Sequence, residues 1–426
     1  MAPVQSRVQG ARPNGALRRA ADIRACKTVH PGRKYKLDDG TSVELETLYL
    51  VPNHVQRHGI KGRTWIYYQD TSPEGLAKTW GQEKRLKTPK GNLSQILSMG
   101  YLQLSDRDSV FSREYDGEQE PIDDVCQIWV ADGRLWTLEM KLQLDLARKD
   151  ILGDRGERTR ARPSPPIGKD RKPTGAPPLG GTAYERSSIA KSVKEPARAY
   201  TIGPSLEAPT SLMAPVASSK AKRGAVDPAI WHRKLLLEAT SRFAMGAMTQ
   251  GPNTPKRMIR RRSELLNKPS IGISNNWAYS TAQLNLAAAK KASDADISLG
   301  KDLGFFGGTH IDRHDAAGYY SNMTCNHDIP DDYEPGMFFI LQLGVFVVLN
   351  QYCSINFFGQ RQHGGTPPLC PLGRPLYKYA YRFVVISYPP RRQVNGTARV
   401  ILAALPNNEA LILPPEILHT WWVLLY

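Results

Sequence analysis

Cysteine is sparse and acid is outnumbered. The five cysteines, Cys26, Cys126, Cys325, Cys353 and Cys370, are scattered without a C-x-x-C pair, which argues against a disulfide framework and a structural zinc site. No apolar run reaches the roughly 18 residues needed to cross a bilayer. The opening "MAPVQSRVQGARPNG" lacks the apolar core of a secretory signal. There is no G-x-S-x-G elbow, which removes the α/β-hydrolases despite an HGG triplet at 363–365. We therefore expect a reducing, intracellular setting and no membrane association. Asp and Glu number 40 against 57 Lys and Arg, a net charge of +17. Such an excess is self-repulsive without an acidic partner, and nucleic acid is the commonest one.

What is present divides the chain into four parts. Hydrophobic residues make up 41% of the 426, enough for a core, and the length suggests two domains or one domain plus irregular chain. Residues 1–30 read as a flexible basic tail. Residues 31–152 read as a β-rich region: "SVELETLYLV" alternates apolar and polar, while "RTWIYYQD" and "CQIWVADGRLWTLEMKLQ" are aromatic-rich, the latter turning at Asp132-Gly133. His54 and His58 are four apart but lack helical periodicity around them, so no site is assigned there. Residues 153–226 are rich in Pro, Gly, Ser and basic residues and read as a disordered linker, unable to bury enough surface to offset its ordering entropy. In 227–426, "DPAIWHRKLLLEATSRFAM" has helical spacing with Asp227 as N-cap, and "YSTAQLNLAAAKKA" reads as a second helix. Runs such as "GMFFILQLGVFVVLN", "CSINFFG", "YAYRFVVISYPP", "RVILAAL" and "EALILPP" follow as strands. The expected class is α+β, a sheet-rich barrel or sandwich with helices outside.

The stretch "GTHIDRHD" at 308–315 concentrates ligand-type residues. On an extended strand His310 and Asp312, two apart, project to one side and reach one ion. "GQRQHGGTPP" offers His363 as the third ligand, in a Gly-rich turn after a strand. Two His and one carboxylate form the facial triad of non-haem Fe(II) oxygenases, leaving positions for a bidentate 2-oxo acid and dioxygen. The distal carboxylate of 2-oxoglutarate asks for a guanidinium fork. Arg382, entering the apolar run "YRFVVISY", is the first choice, since a strand positions a fork better than a loop; Arg374, in the intervening loop, is the rival.

The motifs "QLN" (283–285), "THIDRHD" (309–315), "HGGTPP" (363–368) and "YRFVVISYPP" (381–390), in that order, resemble the TET/JBP branch of Fe(II)- and 2-oxoglutarate-dependent dioxygenases, in its basidiomycete fungal form. The resemblance covers less than half of the chain. It implies a double-stranded β-helix (jelly-roll-like) catalytic core with flanking helices and stepwise oxidation of 5-methylcytosine in DNA to the hydroxymethyl, formyl and carboxyl forms. It implies iron on His310, Asp312 and His363 and 2-oxoglutarate on Arg382. It further implies that Asp315 contacts a flipped base, Tyr388 stacks on it and Asn285 faces it. Tyr388 lies at an even offset from Arg382, hence on the same strand face. Pro390 departs from the pattern: better-known members place a base-bonding His there, and Pro has no side-chain donor. N6-methyladenine therefore comes within reach.

A base inside a duplex must be extruded to be oxidised, so the expected partner is double-stranded DNA, bound by a single copy of the chain in the nucleus. "TPKRMIRRRSELLNK", with Lys256, Arg257, Arg260, Arg261 and Arg262, is the expected phosphate clamp. The competing readings are a protein or small-molecule hydroxylase of the same fold, and an inactive DNA reader.

Overall fold

The computed structural model describes residues 23–24, 26, 28–37, 39–52, 54–57, 60–114, 120–152, 155, 198–207, 212–216, 230–252, 257–259, 261, 279, 281–291, 308–394 and 399–400. Among the described residues sheet dominates, with few helices: twelve strands form one large sheet and four form a smaller one, alongside two two-stranded pairs. The hydrophobic patterning explains the layering. Along Tyr381–Tyr388 the odd residues Tyr381, Phe383 and Val385 pack against the helices Leu138–Leu152 and Ile230–Thr249, through Leu144, Ala147, Leu236 and Phe243. The even residue Val384 faces the other way, into a second core with Phe338, Ile340, Val345 and Val347 of the small sheet. The order is therefore helices, large sheet, small sheet.

The region 31–152 does not stand apart. Val125–Val130 pairs antiparallel with Ser354–Phe357 in the large sheet, and Leu102–Leu104 pairs parallel with Val345–Val348 in the small one. Both sheets are thus built from both halves of the chain, and the division into an N-terminal region and a catalytic domain at 227 does not describe the packing. Within 153–226, read as a disordered linker, Arg198–Glu207 and Leu212–Val216 are strands. The first pairs antiparallel with Thr281–Ala288. Arg155 forms an ion pair with Asp328, and the rest of that segment lies outside the described residues. So do His58, Asp227, most of the N-terminal tail and everything after residue 400.

Two local readings change. "YSTAQLNLAAAKKA" contains a strand, Thr281–Ala288, not a helix. Its Ala and Leu are good helix formers, but Ala282, Leu284 and Leu286 alternate into the core, and pairing to Tyr381–Tyr388 over eight positions overrides propensity. "CQIWVADGRLWTLEMKLQ" begins as the strand Val125–Val130, but the Asp132-Gly133 turn leads into a 3-10 turn and then the helix Leu138–Leu152. The Asp132 side chain accepts from the Arg134 N–H at 3.1 Å, starting that turn. Nor is His54 a ligand: it is buried, 2.8 Å from Asp124 and stacked on Phe111.

Candidate metal centre

Backbone pairing brings the three ligand-type residues together. The His310 N–H donates to the His363 carbonyl and the His363 N–H to the His310 carbonyl, both at 2.9 Å. Asp312 lies in irregular backbone rather than on the expected strand; its N–H donates to the Gly359 carbonyl at 2.7 Å. His363 opens a short strand, His363–Gly365, rather than sitting in a turn. One ligand atom from each of His310, Asp312 and His363 lies within 4.8 Å of the others. His310 Nε2 is 3.6 Å from Asp312 Oδ1, and His363 Nε2 is 3.5 Å from Asp312 Oδ2.

The ring tautomers follow from the far nitrogens. Nδ1 of His310 lies 2.6 Å from the Gly308 carbonyl, and Nδ1 of His363 lies 2.7 Å from the Arg361 carbonyl. A carbonyl only accepts, so each Nδ1 carries the proton and each Nε2 offers its lone pair to the centre. The His363 ring is enclosed by Phe338 and Phe357, with centroids 5.6 and 5.1 Å away. Burial, with His310 nearby, pushes its pKa down to about 4, so it is neutral at pH 7, the form a metal needs. Two imidazole nitrogens and one carboxylate oxygen suit a divalent first-row ion with open positions.

A cavity of ≈ 730 Å³ opens at this cluster. Arg382, Val384, Ile386 and Tyr388, the even residues of their strand, line it, as do Gln283 and Asn285 from the neighbouring strand. Arg382 is 7% exposed. Its Nη1 donates to the carbonyls of Pro335 (3.1 Å) and Thr366 (2.6 Å), while Nε has no partner among the described residues. Among the described residues no carboxylate pairs with it, and burial lowers its pKa. A buried guanidinium in that state lacks the anion that would offset its desolvation. Gly336 makes room for it: at φ +86°, a Cβ there would run into Arg382 Nη1 and come 2.5 Å from the Thr366 carbonyl oxygen. Arg374, the rival, is exposed and already paired with Asp332 at 2.6 Å.

The remaining expected residues divide. Asp315 is buried beside the cluster and accepts from the Ser321 hydroxyl. Burial first, then Asp312, raises its carboxyl well above the usual range, against the hydroxyl's opposing pull. Asp315 also forms an isolated antiparallel bridge with Pro390. Tyr388 lines the cavity, its phenol pushed up by burial and by Asp315. Asn285 lines it too, accepting from Gln283 at 2.8 Å. Arg257 and Arg261 are exposed and do not line the cavity, whereas Lys256, Arg260 and Arg262 lie outside the described residues.

Sequence reasoning missed the braces behind the histidines. Arg361, two before His363, is partly buried: it donates from Nε to Gln127 at 3.0 Å, from Nη1 to Glu83, and from Nη2 to the Tyr67 hydroxyl. Its own carbonyl holds His363. Thr88 donates its N–H to the Thr309 hydroxyl at 2.6 Å, and its own hydroxyl takes the space a Cβ on Gly364 would need. The region 31–152 thus supports both histidine-bearing segments. The only local hint was polarity, Glu83 and Arg361 sitting in otherwise unremarkable runs.

No family model matches the chain, and no curated protein matches it. Among solved structures it is similar to NgTET1 in complex with 5mC DNA, with a TM-score of 0.40 and 11% identity, over 79% of this chain and 95% of that one.

Proposed function

We propose that the chain is an Fe(II)- and 2-oxoglutarate-dependent dioxygenase that oxidises a methylated base in DNA, 5-methylcytosine first. One observation carries this reading: a buried guanidinium without a carboxylate partner among the described residues lines the same cavity as a His-Asp-His cluster. His310, Asp312 and His363 would hold the iron, which supplies activation of dioxygen when bound. Arg382 would take the distal carboxylate of 2-oxoglutarate in a bidentate pair. The apolar cavity wall of Val384, Ile386 and Phe338 excludes water around that pair and so strengthens it. In this reading the two facing sheets form a double-stranded β-helix core.

The substrate end of the cavity is assigned to Asp315, Asn285 and Tyr388. Tyr388 offers a stacking face, and the polar pair offers hydrogen bonds to an extruded base. Pro390, opposite Asp315, contributes no side-chain donor, which favours tolerance of N6-methyladenine as a second substrate. Further oxidation to the formyl and carboxyl forms, action in the nucleus and action as a single copy belong to the same proposal. The test is mass spectrometry of bases after 5-methylcytosine and N6-methyladenine duplexes meet the protein with Fe(II) and 2-oxoglutarate. Oxidised methyl groups are expected. Iron-loaded protein that consumes 2-oxoglutarate and leaves both duplexes unchanged would move the substrate to a protein or small molecule.

A further inference from the structure

Glu83, Leu86, Thr88 and Pro89 are buried, and the basic residues between them are exposed. In the run "KRLKTPK", residues 84–90, Lys84, Arg85, Lys87 and Lys90 are exposed and no acid intervenes. Arg85 is held by Asp39 at 3.0 Å. Thr88, bonded to Thr309, fixes this run against the segment that carries His310, and Lys84 itself lines the cavity. One helical turn earlier, Trp80 is 55% exposed, with the Lys84 ammonium 5.1 Å from its ring centroid. Arg313 and His314 also line the cavity and are exposed. Arg391, exposed as well, donates its N–H to the His314 carbonyl at 2.7 Å. Among the described residues the only carboxylates lining the cavity are Asp312 and the buried Asp315.

The mouth is therefore flanked by cations from two segments, with an exposed aromatic on one of them. Cations beside an aromatic suit a nucleic-acid strand, whose phosphates are neutralised while a base or sugar packs on the ring. We propose that Lys84, Lys87 and Lys90 form the phosphate-binding edge of the cavity for duplex DNA, with Trp80 packing against the duplex beside it. This rests on the DNA reading above and names the surface that delivers the base. It moves the phosphate contacts from the basic run at 256–262 to the N-terminal half of the chain.

The test is binding of a short fluorescein-labelled methylated duplex to the full-length protein, by anisotropy, across about 50 to 200 mM salt. Each phosphate contact contributes about 0.9 to the slope of log K against log salt. Changing Lys84, Lys87 and Lys90 together to Ala should lower that slope by about two to three and weaken binding. The same three positions as Arg should keep the slope. Trp80→Ala should weaken binding with the slope unchanged. If the wild-type chain binds duplex and the triple Ala variant keeps its full slope, the surface is wrong. A slope lost instead in an Arg257→Ala, Arg261→Ala variant would place the contacts on the later run and also overturn the proposal. No binding of any duplex by wild-type protein at the lowest salt would instead sink the DNA reading itself.

Discussion

Replacing Arg382 by Met separates a ligand-binding arginine from a structural one. Met keeps the stem and removes the charge. In the ligand-free protein the change takes donors from the Pro335 and Thr366 carbonyls, each loss costing about 1–3 kcal/mol. It also removes a buried cation with no carboxylate partner among the described residues, a gain of about 1–4 kcal/mol in comparable replacements. The two nearly cancel, so stability against urea should stay within about 2 kcal/mol of wild type. Binding of 2-oxoglutarate behaves differently. Breaking a buried guanidinium–carboxylate pair costs about 3–5 kcal/mol, or roughly 140- to several-thousand-fold in Kd at 1.4 kcal/mol per decade. Anaerobic calorimetry on Fe(II)-loaded protein measures it. The decisive comparison is 2-oxopentanoate, which keeps the 2-oxo acid and lacks the distal carboxylate. Its affinity should be the same for wild type and variant, as a double-mutant cycle requires of a specific pair. Equal losses for both acids, or a ligand-free variant that does not fold, would refute the assignment and make Arg382 a structural group.

Other changes test the surroundings. Glu83→Gln takes the paired carboxylate from the partly buried Arg361 while Glu46 still acts on it, so stability should fall by about 1–3 kcal/mol and Co(II) affinity, read from its visible absorption, by about 10- to 100-fold; unchanged affinity would limit Glu83 to a packing role. Gly336→Ala imposes a left-handed backbone at about 1–2 kcal/mol and crowds Arg382, so the 2-oxoglutarate requirement should rise while bound iron, measured by atomic absorption, stays stoichiometric. Burial holds His363 and His327 at about 4 in the folded chain. Between pH 6.5 and 4 the unfolded chain binds the more protons, so metal-free protein should lose up to about 3 kcal/mol per histidine as pH falls through that window; urea melts along the pH axis would show it, and His327→Asn should flatten the curve. Deleting 160–195 should leave soluble, iron-binding protein, whereas extending the deletion to 220 removes the strand beside Thr281–Ala288 and should give aggregates on size exclusion.

Local motifs made the ligand residues legible. His310 and Asp312 stand two apart, although Asp312 reaches the cluster from irregular backbone and not from a strand, and Tyr388 came from the family resemblance, with its strand parity to Arg382 in agreement. The structure then gathers those side chains at one cavity. Partner choice was not legible. Nothing in "TAQLNLAA" says that eight residues of Tyr381–Tyr388 pair beside it, and its composition favours helix. Nothing in Leu102–Leu104 or Val125–Val130 names the distant strands they join. The Glu83–Arg361 pair is equally silent, because its two halves lie 278 positions apart. Periodicity reports which face is buried, not against what.

That separation bears on how the chain is made. Thr88 meets Thr309 across 221 positions, and Glu83 waits 278 for Arg361. On a ribosome, strands such as Leu102–Leu104 emerge long before the strands that complete their sheets. Their open edges and apolar faces stay exposed through most of translation, an interval in which such segments aggregate. Loop closure over such distances adds only a few kcal/mol of entropy, yet contacts this non-local slow folding strongly. Production of active protein should therefore depend on chaperones and low temperature more than the finished fold's stability suggests, and fragments beginning near residue 227 should lack seven of the twelve strands of the large sheet and one of the four of the small sheet.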